Sequence, residues 1–270
     1  MLSIIVATYN AEKTIYKCID SIQKQKIDDL EIIVIDGAST DGTVDIIEGF
    51  RDSKIKIISE SDRGIYDAWN KGLKCASGNW ICFIGADDFY YEGALASLME
   101  YADNNAPFIY GTVACEGADG NVSGRLGGPW VSPWDSRHQY IESDLCFPVM
   151  GSVYSKSFFG NRSFDINLEI VADADLILKS LKQWKGIDPV FSPSISPVLE
   201  MGYGGVSTSP NTYLVSLKES FLVRRRNGLS NINYSLLKRA IKMYCYQCLK
   251  VIAGKKFSNM ILKSYYRVMK

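Results

Sequence analysis

Glu31-Ile32-Ile33-Val34-Ile35 runs directly into Asp36-Gly37-Ala38-Ser39-Thr40-Asp41-Gly42-Thr43. A β-branched apolar run of this kind reads as a strand, and the acids, glycines and serine behind it end that strand in a polar turn. The same pattern recurs on either side. Ser3–Ala7 gives way to Thr8-Tyr9-Asn10, Ile55–Ile58 is a third run, and Trp80–Ile84 gives way to Gly85-Ala86-Asp87-Asp88. Helical patterns separate the runs. Asn10, a good cap residue, precedes a stripe of Ile15, Ile19 and Ile22, and Ile65, Trp69 and Leu73 form another ahead of the fourth run. Strands alternating with helices predict an α/β fold with a mostly parallel central sheet flanked by helices.

The 270 residues are 47% hydrophobic and 22% charged, enough for one large core and too apolar for a disordered tail or a fibrous repeat. Thirty Lys and Arg balance thirty Asp and Glu, so the chain as a whole does not read as a nucleic-acid binder. The balance hides an asymmetry. From Lys218 onward thirteen basic residues meet one acid, Glu219, which leaves the first 217 residues at about −12 and the tail at about +12. Seven cysteines, at 18, 75, 82, 115, 146, 245 and 248, are too sparse for a secreted disulfide scaffold and fit a reducing cytosol. The apolar run after Met1 is short and has no basic stretch before it, so no signal peptide is expected, and no run of about 18 apolar residues predicts a spanning helix.

In an open parallel sheet, ligands bind beyond the carboxyl ends of the strands. Here those ends are polar and acidic, and three of them converge on one crevice: Thr8-Tyr9-Asn10, Asp36 to Gly42, and Gly85 to Asp88. Each has an ordinary structural reading. Asn10 can cap a helix, Asp41-Gly42 can make a turn, and Asp87-Asp88 can be an acidic surface turn. Adjacent carboxylates that both stay ionised also suit a divalent cation, which takes hard oxygen ligands.

These stretches, together with Ser59-Glu60-Ser61-Asp62-Arg63-Gly64-Ile65-Tyr66-Asp67-Ala68-Trp69-Asn70-Lys71-Gly72, resemble the inverting glycosyltransferases of family 2, which have the GT-A fold, over about residues 1–215. The resemblance implies that Thr8, Tyr9 and Asn10 line the base pocket and that Asp36 binds the base edge. Asp62 and Asn70 would help hold the ribose and diphosphate, with Gly37, Ser39 and Ala86 in the same donor-binding set. Asp87 and Asp88 would hold Mn²⁺ or Mg²⁺, although Gly85 stands where the family's acidic motif usually begins. Val171-Ala172-Asp173-Ala174-Asp175-Leu176 opens a helix, over about Asp173–Trp184, that resembles the family's Glu-Asp segment, with Ala172 in place of the Glu. Asp173 would then be the general base. Asp175 lies about 200° round the helix from it, so the two cannot both face one substrate atom, and the one that is not the base reads as a cap or a surface acid. Met150-Gly151 stands where relatives often have His-Gln, and Gly204-Gly205-Val206-Ser207 resembles a loop that closes over the donor.

On this basis residues 1–217 form the glycosyltransferase domain, with 1–90 binding the nucleotide-sugar and 91–217 the acceptor, and 218–270 form a basic helical tail. The expected donor is a UDP-sugar and the acceptor a glycan or lipid-linked sugar, in a cytoplasmic enzyme of surface-polysaccharide assembly. The tail, beginning at Arg224-Arg225-Arg226, suits peripheral contact with an anionic membrane face, or a helical pair packed on the acidic body. Gly85 and Ala172 keep open a non-catalytic glycan- or nucleotide-binding relative. A nicotinamide oxidoreductase lacks support, because strand one is not followed by a Gly-x-Gly-x-x-Gly turn. Cys245 and Cys248 have no second pair and no nearby His, so they read as ordinary thiols, and His138 as a loop contact.

Overall fold

The computed structural model describes residues 1–102, 105–116, 121–135, 147–184, 187–193, 199–201 and 212–229, with 237, 240 and 241. The chain divides into two units, Met1–Trp130 with Phe147–Tyr203, and Val131–Cys146 with Gly204–Lys270.

The first unit is built on the four expected strands: β1 (Leu2–Thr8), β2 (Leu30–Asp36), β3 (Ile55–Ser59) and β4 (Trp80–Gly85). Every residue of β1, β2 and β4 is buried, as strands covered on both faces must be. Short strands follow: β5 (Phe89–Tyr90), β6 (Phe108–Tyr110), β7 (Val113–Glu116), β8 (Val122–Leu126), β9 (Ser152–Ser155), β10 (Val190–Phe191) and β11 (Leu199–Met201). Seven of these strands form the main sheet in the order β10-β6-β9-β4-β1-β2-β3, and β5-β11-β7-β8 form a second. The main sheet is parallel except at β9, which runs antiparallel to β4 and β6. The family 2 GT-A architecture that the sequence predicts is this mixed α/β fold.

Helices α1 (Ile15–Gln23), α2 (Thr43–Glu48), α3 (Ile65–Cys75), α4 (Ala94–Met99), α5 (Lys156–Phe159) and α6 (Ala172–Gln183) complete the unit. In α1 the stripe Ile15, Ile19, Ile22 is fully buried, each side chain contributing roughly 1.5–3 kcal/mol. In α3 Trp69 faces inward as expected, but the positions on either side of it differ. Tyr66, Ala68, Trp69 and Gly72 face inward, whereas Ile65 is 39% exposed. Gly72 makes the close approach: a Cβ there would lie 2.3 Å from Ile5 Cγ2, so only glycine lets α3 seat on β1. Asn10 does not cap α1, whose N-cap is Thr14. Cys18, Cys75, Cys82 and Cys115 carry free thiols.

In the second unit, α7 (Tyr213–Arg226) starts before Lys218 and buries a largely polar face, Ser216, Glu219, Ser220 and Arg224 beside Val223, with Asn227 buried at its C-cap. The Trp134 indole N–H donates to the Asn227 carbonyl at 3.2 Å. Arg224 is 2% exposed, so it is not one of the outward-facing bases the tail was expected to present. Among the described residues no helix is long and apolar enough to cross a membrane. His138, Gly204–Ser207, Cys245, Cys248 and nearly all of the chain after Leu229 lie outside the described residues.

Candidate active site

Register brings the candidate residues together. Thr8 pairs with Asp36, Ala7 with Gly85 and Asp36 with Ser59, so four strands end at one level. Beyond them opens a cleft of about 720 Å³. Thr8, Tyr9, Asn10, Gly37, Asp62, Ala86 and Asp87 all line it. Tyr9 is 63% exposed, while Thr8 is buried and its Oγ1 has no hydrogen-bond partner. The loop before α3 and the first turn of that helix add Ser61, Gly64, Ile65 and Ala68 to the wall. The sequence pattern places Ile65 against the sheet and gives Ser61, Gly64 and Ala68 no role in the site; the glycine at 64, found here at φ 108°, is the residue that could have marked the turn.

The loops after β1 and β2 are stitched to each other. Asn10 sits in the left-handed region at φ 47°, its Oδ1 accepts the Thr40 N–H at 2.9 Å, and its own N–H donates to Ser39 Oγ at 2.8 Å. The Ala11 and Glu12 amides donate to Thr43 Oγ1 and Asp41 Oδ2. Hydrogen bonds led by the Thr43 hydroxyl hold the Asp41 carboxyl below its ordinary value.

Asp36 and Asn70 are placed differently from Asp62 and Asp87. Asp36 is fully buried, and its carboxylate accepts hydrogen bonds from the Ser39 N–H and hydroxyl and, at 2.7 Å, from the Ser59 hydroxyl. It fixes the end of β2 from behind the cleft. At the surface there, Gly37 faces Asp62, whose Oδ2 would lie 2.9 Å from a Cβ at that glycine. Asn70 spends its amide on the backbone of Phe164, donating at 3.0 Å and accepting at 2.8 Å.

Asp87 is exposed on the cleft wall and Asp88 is 4% exposed, accepting the Gly85 N–H at 3.3 Å. A Cβ at Gly85 would lie 2.9 Å from Asp87 Oδ1 and 3.1 Å from Asp88 Oδ2. Glycine in the first place of the motif therefore leaves room for both carboxylates to fold over one backbone position. Burial, then the charges of Asp88 and Asp87, push the neighbouring Cys18 thiol well above its ordinary value. Among the described residues, no group of three or more His, Cys, Asp or Glu is gathered as a metal site. The two carboxylates nevertheless fit a hard cation that takes its remaining ligands from a diphosphate and water.

On α6 the two aspartates part company. Asp173 is half-buried in the first turn, and its Oδ1 accepts the Ala174 N–H at 2.8 Å and the Tyr66 hydroxyl at 3.2 Å. Asp175 is 1% exposed and bound to Lys179 one turn on at 2.5 Å. It is neither a cap nor a surface acid, because Lys179 supplies the charge that lets it lie inside.

Residues 3–167 match the model of glycosyl transferase family 2. A PGL/p-HBAD biosynthesis glycosyltransferase of Mycobacterium bovis is 30% identical over 186 residues, which is 66% of this chain and 69% of that one. The GalNAc(5)-diNAcBac-PP-undecaprenol β-1,3-glucosyltransferase of Campylobacter jejuni is 32% identical over 170 residues, 61% of this chain and 54% of that one. Among solved structures, glucosyl-3-phosphoglycerate synthase from Mycobacterium tuberculosis, in complex with Mn²⁺, UDP-glucose and phosphoglyceric acid, shares the fold at a TM-score of 0.57 and 17% identity, over 85% of this chain and 80% of that one. The chain belongs to glycosyl transferase family 2 and is a glycosyltransferase.

Proposed function

We propose that this chain is a metal-dependent, inverting transferase that moves a sugar from a UDP-sugar to a hydroxyl of a glycan or lipid-linked acceptor in surface-polysaccharide assembly. The observation that carries the reading is the cleft at the strand ends, walled by Thr8, Tyr9, Asp62 and Asp87, with two carboxylates converging over Gly85. UDP-glucose and Mn²⁺ in the synthase of the same fold support the donor and cation, and the undecaprenol-linked substrate in the Campylobacter relative's name supports the acceptor class.

In this reading the Tyr9 ring stacks on the base, Thr8 Oγ1 gains the partner it lacks, and Asp62 faces the ribose. Asn10, Gly37, Ser39 and Ala86 shape the walls, and Asp36 and Asn70 act from behind by holding them. Asp87 and Asp88 hold the divalent cation, Mn²⁺ or Mg²⁺, which when bound supplies positive charge against the diphosphate. Asp173 takes the proton of the acceptor hydroxyl as that oxygen bonds to the anomeric carbon. The bond from that carbon to the diphosphate breaks on the opposite face, which inverts the centre and releases UDP. A lipid-linked acceptor would bring the enzyme to a membrane face, with the basic tail, less Arg224, as the contacting segment.

The test is transfer by Asp173→Asn beside Asp175→Asn. Loss of the proton acceptor should slow Asp173→Asn by about 10²–10⁴ with UDP affinity nearly unchanged. Asp175→Asn should act mainly on stability, by leaving Lys179 unpaired. Normal transfer by Asp173→Asn overturns the assignment of the base.

A further inference from the structure

Helix α3 carries Tyr66 and Asn70 one turn apart on one face, and both grip the segment that leads to Asp173. Asn70 pairs with both backbone groups of Phe164. The Tyr66 ring stacks on Phe164 with centroids 5.5 Å apart and planes at 24°. Six residues further along, the buried Tyr66 hydroxyl donates to the Ile170 carbonyl at 2.6 Å and reaches Asp173 Oδ1 at 3.2 Å. A hydroxyl has one hydrogen, so the carbonyl and the carboxylate share it in a three-centre bond. Oδ1 also accepts the Ala174 N–H, so donors from two different elements fix the plane of this carboxyl.

We propose that Tyr66 is a positioning residue for Asp173. Its ring locks the hydroxyl in place, and the hydroxyl sets the carboxyl rotamer in which Asp173 meets the acceptor. The first turn of the same helix lines the donor cleft through Gly64, Ile65 and Ala68, so one rigid element references both the donor and the base. A misplacement of about 1 Å at such a group can cost roughly 10²-fold in rate, which is why a weak bond can matter here. The proposal rests on the reading of Asp173 as the base.

The experiment compares wild type, Tyr66→Phe and Asp173→Asn. Phenylalanine keeps the ring packing and removes only the hydroxyl. UDP release from UDP-glucose and from UDP-N-acetylglucosamine, with Mn²⁺ and with water as acceptor, gives kcat and KM, and crystal structures give the rotamer of residue 173. Tyr66→Phe should lower kcat by about 5–20-fold while donor KM stays within about twofold, with the melting temperature down by a few degrees because the Ile170 carbonyl loses its donor. The Asp173 carboxyl should turn away from its wild-type rotamer. If Asp173→Asn loses turnover but Tyr66→Phe keeps both its kcat and the rotamer, the positioning role is wrong and the base assignment stands. If Asp173→Asn turns over normally, the base assignment is what fails, and the positioning role fails with it. Should neither donor be turned over by wild type, the rotamer alone decides: an unmoved Asp173 in Tyr66→Phe overturns the proposal, and a displaced one supports it.

Discussion

Two carboxylates at opposite ends of the central strands, Glu31 and Asp87, are treated in opposite ways. At the amino end Glu31, 5% exposed, accepts hydrogen bonds from the Ser3 hydroxyl at 2.6 Å and from the Ser77 N–H and hydroxyl at 2.7 Å, and it pairs with Lys56 at 2.7 Å. At the carboxyl end Asp87 stands exposed in the cleft, Asp88 lies beside it with the same charge, and Thr8 Oγ1 is buried without a partner. One end spends its polar groups on holding strands together. The other ties its loops through Asp36, Asn10 and Asp41 as well, but leaves the Asp87 carboxylate exposed and Thr8 Oγ1 buried without a partner in the cleft, and these two are what a ligand can complete.

The contrast is tested most severely at Asp88. Asp88→Ala should cut transfer by about 10²-fold or more and weaken UDP-sugar binding in Mn²⁺, while binding in chelator matches wild type. Its stability should fall only modestly, since the buried carboxylate accepts the Gly85 N–H while relief of the like-charge pair offsets part of that loss. Titration calorimetry of UDP with and without Mn²⁺ measures this. Equal affinity in both conditions would show that these carboxylates serve no cation.

Glu31→Gln should show the reverse pattern. Burial raises the Glu31 carboxyl, but hydrogen bonds from Lys56, Ser3 and Ser77 outweigh burial and bring it down to about 2 from an ordinary 4.5. A depressed carboxyl contributes stability that is complete above its unfolded value and is lost as pH falls through the folded one. Glu31→Gln should therefore cost about 2–3 kcal/mol at pH 7. The gap to wild type should close between pH 4.5 and about 2. Denaturant melts across that range read it out, with UDP affinity per folded molecule unaffected. A gap that is constant with pH would mean that the clamp works by packing alone.

Strand positions and the cleft were legible because both follow from short-range pattern: β-branched runs fix β1 to β4, and the residues behind them must fall at one edge. What each polar side chain does there was not, because that depends on partners distant in sequence. Asp36 reads as a ligand-facing acid until Ser59, twenty-three residues on, is seen donating to it. Asn70 reads likewise until Phe164 occupies its amide. Asp173 and Asp175 are separable by helical angle, yet only Lys179 and Tyr66 show which is buried as an ion pair and which is held at its rim. Counting charges failed at Arg224 for a related reason: the count carries no periodicity, and the inward face of α7 is largely polar.

The smallest effect, and the one that probes the cleft wall itself, is at Asn10. Two terms hold it: the bond from the Thr40 N–H to Oδ1, and the left-handed backbone at φ 47°, which asparagine visits more readily than alanine. Asn10→Gly removes the bond but not the conformational freedom, and should cost about 0.5–1 kcal/mol. Asn10→Ala removes the bond and adds strain, and should cost about 1–2 kcal/mol more than wild type, or a few degrees of melting temperature. Stability should thus fall in the order wild type, Asn10→Gly, Asn10→Ala. UDP affinity should fall in the same order, because the wall formed by Asn10 loosens whenever its tie to Thr40 is cut. Equal melting temperatures for the glycine and alanine variants would remove strain from the account and leave the hydrogen bond alone. If both variants bind UDP as wild type does, the stitched loops are scaffold, and the contrast between the two strand ends narrows to the acids and Thr8.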